Sequence, residues 1–297
     1  MTLTRRQVAD LLDRHGVGPS RALGQNFVVD ANTVRRVVRL AGVQAGDRVV
    51  EIGAGLGSLT LALAEAGAAV TAIELDRRLV PILRSVLAEG PGDGAGSVSV
   101  IQGDAMRLDW NQVLTEPGPW KLVANLPYNV ATPLVLHLLA GVPAIERMVV
   151  MVQQEVGERL AAEPGDSAYG IPSVKVAYWA RAKVVGRVSP DVFLPRPKVT
   201  SALVEIIRRP SPVVDADGDV LFGLVDAGFG QRRKMLRRAL SSLVSADQFE
   251  QAGVAPTARA EELTLDQWAS LARVVAASGV VAPPAVAAQG LDADTTK

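Results

Sequence analysis

Three stretches of the chain carry residue types that could do chemistry. Val49-Val-Glu-Ile-Gly-Ala-Gly-Leu-Gly57 sets Gly53, Gly55 and Gly57 in a loop between an apolar run and a helical pattern. A glycine loop at that junction lets backbone approach a ligand closely at a helix N-terminus, in the crevice beyond the strand ends. Glu74 follows about 20 positions later, where a carboxylate can accept both hydroxyls of a ribose. Asp104 ends a third apolar run in Gln102-Gly-Asp-Ala105. Its carboxylate can take a hydrogen bond from an adenine amine, or simply cap a helix. Asn125-Leu-Pro-Tyr128 follows a fourth run and offers an amide oxygen, a backbone carbonyl, a turn fixed by proline and an aromatic face. The plainer readings are a tight turn that binds nothing and an ordinary Asn-Pro turn.

The elements that must position these groups follow from periodicity. Strands are predicted at Arg48–Ile52, Ala69–Ile73, Ser97–Gln102, Trp120–Ala124 and Arg147–Val152. Helical patterns lie between them at Ser58–Ala66, Arg77–Ala88 and Thr132–Ala140, after an earlier helix at Asn32–Ala41. Strands alternating with helices predict an α/β fold with a doubly wound, mostly parallel sheet. Val174–Arg181 and Ala202–Arg208 read as late strands, and Gly90–Gly96 as a surface loop. Pro210-Ser-Pro212 breaks the pattern, and the rest is helical at Val220–Gly228, Gln231–Leu243, Ala246–Ala252 and Leu265–Ser278. The predicted organisation is an N-terminal extension over residues 1–30, a Rossmann-like domain over 31–209 and a small helical domain over 210–280. Residues 281–297 are Ala-rich and aperiodic, and a mobile tail is expected there.

Composition narrows the chemistry. The 297 residues are 48% hydrophobic and 21% charged, the balance of a globular protein. There is no cysteine, which excludes disulfides, thiolate zinc sites and cysteine nucleophiles. His15 and His137 are the only histidines, so no metal centre is expected. No apolar run reaches the roughly 18 residues that span a bilayer, and Met1–Asp10 lacks a signal peptide's apolar core. A cytoplasmic protein without a membrane partner is expected. Lys and Arg together balance Asp and Glu at 31 each. That neutral total hides basic islands: Arg5 to Arg39, Lys175 to Lys198, and Arg232, Arg233, Lys234, Arg237 and Arg238. The last island is predicted on a helix, with Met235, Leu236 and Leu240 inward and the bases outward as a phosphate footprint.

The G-x-G-x-G spacing after Glu51 resembles the cofactor loop of class I S-adenosylmethionine (SAM) methyltransferases more than the G-x-G-x-x-G of nicotinamide dehydrogenases. Asn125-Leu-Pro-Tyr128 resembles the active-site motif of methyltransferases acting on exocyclic amines of bases. An adenine N6 lone pair is delocalised into the ring, so acceptors that hold its two hydrogens favour a pyramidal, more nucleophilic nitrogen. The Asn125 side-chain oxygen and the Leu126 carbonyl could do this, while an extruded base stacks on Tyr128 for about 1–3 kcal/mol.

Leu23-Gly-Gln-Asn-Phe-Val-Val-Asp30, Glu51–Gly57, Asn125–Tyr128 and Phe193-Leu-Pro-Arg-Pro-Lys-Val-Thr-Ser201 occur in the order seen in ribosomal RNA adenine N6,N6-dimethyltransferases. Gln153-Gln-Glu155 and Gln231–Leu236 also resemble that family, and the similarity runs from about residue 20 to about 275. Thr200 departs from the acidic residue expected beside Ser201. Length and the helical region after residue 209 resemble the bacterial branch that dimethylates two adjacent adenosines near the 3′ end of 16S rRNA. The resemblance implies SAM as cofactor and 16S rRNA of the immature small subunit as partner, with a monomeric enzyme expected. It implies that Asn26 and Val28 close over the cofactor, with Gly53, Gly55, Glu74, Asp104 and Asn125 completing its pocket. Asn125, Leu126 and Tyr128 hold the adenine, and Phe193 sandwiches it, unless Phe193 is core. Lys198 could contact phosphate, as could Arg232, Arg233, Lys234 and Arg237. The alternatives are a 23S rRNA methylase of the macrolide-resistance branch, a DNA adenine methylase, an assembly factor that acts by binding, and a dehydrogenase.

Overall fold

The computed structural model describes residues 2–90 and 95–278. The predicted tail at 281–297 and residues 91–94 of the Gly90–Gly96 loop lie outside them. The chain forms two compact units.

The first unit comprises residues 1–161 and 180–210. Its helices are α1 (Arg5–Arg14), α2 (Ala31–Ala41), α3 (Ser58–Glu65), α4 (Leu79–Ala88), α5 (Trp110–Val113), α6 (Ala131–Gly141) and α7 (Gln154–Leu160). Its strands are β1 (Phe27–Val28), β2 (Arg48–Ile52), β3 (Ala69–Glu74), β4 (Val98–Gln102), β5 (Trp120–Asn125), β6 (Ile145–Gln153), β7 (Ala180–Val188), β8 (Phe193–Leu194) and β9 (Ser201–Arg208). Seven strands make one sheet in the order β4-β3-β2-β5-β6-β9-β7. The five strands from β4 to β6 are parallel, and β9 and β7 add antiparallel. Strand order therefore turns back between β2 and β5, which opens a crevice at their C-terminal ends.

Apolar periodicity becomes packing on both faces. The α2 helix begins at Asp30, whose carboxylate accepts from the Thr33 N–H at 2.7 Å, and ends at Gly42 in the left-handed region. Its Val34, Val37 and Val38 bury against Val49, Val123, Val149 and Leu203 of the sheet. On the other side Val8, Leu11 and Leu12 of α1 join Leu61 of α3 and Leu79 and Ile82 of α4 around Phe27. The N-terminal residues therefore share a core with the sheet-bearing unit.

The second unit comprises residues 162–179 and 211–297. It contains α8 (Ile171–Trp179), α9 (Gly218–Gly230), α10 (Leu236–Ala239), α11 (Ala246–Gln251) and α12 (Leu265–Ala277). Two sequence expectations are corrected here. Val174–Trp179 is helical, and only from Ala180 does the chain become strand. The alternation of Val174 and Val176 imitates a strand, but Val174 and Tyr178, one helical turn apart, both bury among Leu221, Leu224 and Trp268. Nor does one helix cover Gln231–Leu243. Gln231–Lys234 is turn, and α10 is four residues long. Leu236 and Leu240 do bury, whereas Met235 stays 42% exposed. The chain is diverted because the Leu236 and Arg237 N–H groups donate to the carbonyls of Ala258 and Pro256.

The antiparallel edge of the first unit is tied down by Arg208 at the end of β9. Its guanidinium donates to the carbonyls of Ile145 (2.9 Å), Leu139 (2.8 Å), Leu138 (2.9 Å) and Val142 (3.2 Å). Carbonyls at the C-terminus of α6 run short of N–H partners, Leu138 keeping the Val142 N–H, and a forked cation meets several at once. Arg208→Met is expected to lower unfolding free energy by about 3 kcal/mol in denaturant titration, with Arg208→Lys recovering only part, because an ammonium lacks the fork.

Candidate active site

The crevice between β2 and β5 holds a pocket lined by the glycine loop, the Asn125–Tyr128 loop and residues 23–28. Gly53 and Gly55 adopt φ of +76° and +59°, a region that L side chains rarely enter. A Cβ on Gly53 would stand 3.6 Å from Pro127, in the space between the two loops, and one on Gly55 would stand 3.1 Å from the Phe27 ring. Bare backbone thus forms that side of the pocket. Ser58 and Leu59 continue its wall at the start of α3, where first-turn N–H groups lack partners inside the helix.

Two carboxyl groups line the same pocket. Glu74, at the end of β3, accepts from the Gly55 N–H at 2.7 Å and from the Asp76 N–H at 2.8 Å. Those bonds fix its orientation and shape the glycine loop around it. Burial raises the Glu74 carboxyl above its ordinary value, against the pull of these two N–H groups. Glu51, in β2, is 2% exposed and accepts a 2.6 Å hydrogen bond from the Thr60 hydroxyl of α3. Burial pushes Glu51 up to about 8; the Thr60 bond opposes the rise and the Glu74 charge adds to it. Asp76 behaves oppositely. The Arg78 guanidinium, bonded at 3.0 and 2.7 Å, holds its carboxyl down at about 2. Its ionised oxygen accepts from the Gln25 amide at 3.0 Å and moors residues 23–28 to the pocket.

Asn125 ends β5 with its amide Nδ2 donating to the Asn26 carbonyl at 2.9 Å. A carbonyl can only accept, so this bond fixes which way the amide faces. Its Oδ1 receives no hydrogen bond from the described residues. The Leu126 N–H donates to the Met151 carbonyl at 3.0 Å, and the Leu126 side chain is buried. Tyr128 is half-buried, and its phenol lies 2.7 Å from the Ser201 hydroxyl.

The structure thus brings Asn26, Val28, Gly53, Gly55, Glu74, Asn125, Leu126 and Tyr128 together on one pocket. Asp104 does not line it. One Asp104 oxygen accepts from the Met106 N–H at 3.0 Å, the cap-like role weighed above, and the other faces Arg107 at 3.8 Å. Phe193 is fully buried with Val28, Val188 and Leu203, the core alternative, and its ring presents no open face for stacking. Lys198 is exposed in the first unit. In the second, Arg232, Arg233, Lys234 and Arg237 are all exposed, and Arg232 also donates to Glu261 at 2.6 Å and to the Ser167 carbonyl at 3.0 Å. Sequence reasoning gave no role to Gln25, Thr60 or Ser201, and Glu51 entered only as a motif letter. Thr60 and Ser201 had one signal in common: each is a hydroxyl within an apolar run, and such a group needs a buried partner. Among the described residues no helix is long and apolar enough to cross a membrane, and no group of three or more acidic or histidine side chains could hold a metal.

Glu51 keeps its proton in the folded chain up to about pH 8, against an ordinary value of 4.5. The stability from that difference is fully present below pH 4.5 and is lost as pH rises towards 8. Wild-type Tm is therefore expected to fall more between about pH 5.5 and about pH 8.5 than that of Glu51→Gln, which cannot ionise. Equal slopes by calorimetry would contradict the assignment.

The sequence profile of the ribosomal RNA adenine dimethylase family matches residues 20–277. The chain is 48% identical over 272 residues to a ribosomal RNA small subunit methyltransferase A of Leifsonia xyli, covering 90% of this chain and 96% of that protein. It is 48% identical over 275 residues to the protein of that name from Kineococcus radiotolerans, covering 91% and 90%. Its fold matches a dimethyladenosine transferase from Plasmodium falciparum with a TM-score of 0.71 at 24% identity, covering 84% of this chain and 98% of that one. A 23S rRNA methyltransferase, ErmE, gives a TM-score of 0.64 at 25% identity, covering 84% and 99%. A match that spans both the glycine loop and the Asn125 motif, with relatives nearly half identical along nine-tenths of the chain, places it in the ribosomal RNA adenine dimethylase family.

Proposed function

We propose that the chain dimethylates N6 of two adjacent adenosines near the 3′ end of 16S rRNA, using SAM, during maturation of the small subunit. It would do so as a monomer in the cytoplasm. The observation that carries this reading is the orientation of Asn125. Its Nδ2 is committed to the Asn26 carbonyl, so Oδ1 is the end left to accept a hydrogen bond from an amine. It sits on the pocket that also holds Glu74 and the bare glycine loop.

The residues present fit the cofactor. SAM, when bound, supplies a methyl group already activated on a sulfonium. Gly53 and Gly55 give room for a ligand against backbone. Glu74, fixed by two N–H groups, keeps lone pairs to accept from ribose hydroxyls. Asn26 and Val28 cover the pocket from the N-terminal side. Asp104, just past β4, is assigned to the adenine amine of the cofactor, with its Arg107 contact giving way. Asn125 Oδ1 and the Leu126 carbonyl hold the target amine, and the Tyr128 ring takes the base. The burial of Phe193 removes it from this set. No strong general base is needed, because the attacking nitrogen is neutral and positioning carries much of the rate. Lys198 in the first unit and Arg232, Arg233, Lys234 and Arg237 in the second are exposed cations suited to phosphate, with Arg232 also paired to Glu261.

The test is methyl transfer from labelled SAM to undermethylated small subunits, large subunits, naked rRNA and duplex DNA, with the product mapped. The expected product is N6,N6-dimethyladenosine near the 3′ end of small-subunit RNA. Asn125→Ala is expected to bind SAM and lose about a hundredfold or more in kcat. Label confined to large-subunit RNA, or unchanged kcat in Asn125→Ala, would overturn the assignment.

A further inference from the structure

Ser201 opens β9 and is fully buried. It stands opposite Gln153 of β6 on one side and Val188 of β7 on the other. It begins the run Ser-Ala-Leu-Val-Glu-Ile206, buried at every position. A hydroxyl at the head of such a run has to find a partner, and Ser201 Oγ finds the Tyr128 phenol at 2.7 Å. The geometry linking the two is a bridge across three strands. Asn125 of β5 pairs with Met151 of β6, and two residues further along β6 Gln153 pairs with Ser201. The Tyr128–Ser201 bond therefore joins the loop leaving β5 to the start of β9 across the end of β6.

That bond matters because of where Tyr128 sits. It lies in an irregular loop between β5 and α6, half-buried on the pocket, with the next residue, Asn129, exposed. Pro127 sets the path of the backbone there, but the ring's own torsions need a separate restraint. At its backbone end the loop lies close to Gly24, where an added Cβ would stand 3.4 Å from the Tyr128 N. The Ser201 hydroxyl holds the far end. A ring whose phenol is held keeps one direction of its long axis, and with it one place beside Asn125.

We propose that Ser201 is a positioning residue: by holding the Tyr128 phenol it fixes where the ring lies, and so where the target adenine stacks beside Asn125 Oδ1. This rests on the adenine-methylating reading given above. Ser201 touches neither base nor cofactor in this role. It acts through Tyr128 alone, so its effect appears in turnover rather than in RNA or SAM affinity.

The test compares the wild type with Ser201→Ala, Tyr128→Phe, the double variant and Ser201→Thr, on undermethylated small subunits, with SAM Kd by calorimetry. Ser201→Ala and Tyr128→Phe each remove the same hydrogen bond. Each is expected to lower kcat about tenfold, with KM and SAM Kd within about twofold of wild type. The double variant is expected to be no slower than either single one, and Ser201→Thr, which keeps a hydroxyl, to recover most of the rate. If Ser201→Ala fails to fold, Tyr128→Phe decides alone, since it breaks the bond and keeps the ring. Unchanged kcat in the single variants, or a double variant slowed by the product of both effects, overturns this inference and leaves the functional reading intact. Wild-type protein that transfers no methyl group to any RNA overturns the functional reading and the inference with it.

Discussion

β2 has β3 on one side and β5 on the other, so the connections leaving the sheet at its centre diverge. Every functional arrangement described above depends on that parting. The loop after β2 carries the glycines, the end of β3 carries Glu74, and the loop after β5 carries Asn125 to Tyr128. Parallel pairing keeps their exits at one edge: Ile52 of β2 lies beside Ile73 of β3, one residue before Glu74. A shift of register between these strands would part Glu74 from the Gly55 N–H and the loop would lose its brace.

Around this crevice the unit buries polar groups that only partners make tolerable. Thr60 answers Glu51, two backbone N–H groups answer Glu74, and Arg78 with Gln25 answers Asp76. The results differ according to the partner. Burial, which a neutral hydroxyl only partly offsets, leaves Glu51 protonated at neutral pH, whereas a guanidinium keeps Asp76 ionised. One carboxyl is thus set aside as uncharged lining and the other as a mooring point, although they lie on the same side of the sheet's central crevice.

Much of this was legible from residue order alone, for physical reasons. Strands buried on both faces read as short apolar runs, so Arg48–Ile52 and Trp120–Ala124 stood out, and glycines at a strand–helix junction marked the ligand loop. What escaped were groups whose partners are far along the chain. Val174 and Tyr178 look like strand until helices from beyond residue 211 surround them. Phe193 had two readings that local sequence cannot separate, because whether a ring stacks or packs depends on what covers it. Ser201 was quoted within a motif, yet its partner lies 73 positions away. The Gln231–Arg238 island lost its long helix to two hydrogen bonds donated to the Ala258 and Pro256 carbonyls, which no helical periodicity contains.

The two-residue pairing of β1 with β8 has a consequence for synthesis. Phe27 pairs with Leu194 and Val28 with Phe193, apart from the seven-stranded sheet. Asn26, whose carbonyl orients Asn125, immediately precedes that clasp. A chain emerging from the ribosome can assemble β2 to β5 and the glycine loop early, from contacts close in sequence. The covering segment has no strand to pair with until Leu194 has been made. Local contacts form first and distant ones last. The site is therefore completed from opposite ends of the unit, and a nascent chain stopped short of β8 would hold its covering segment by Gln25 and Phe27 but without its strand partner.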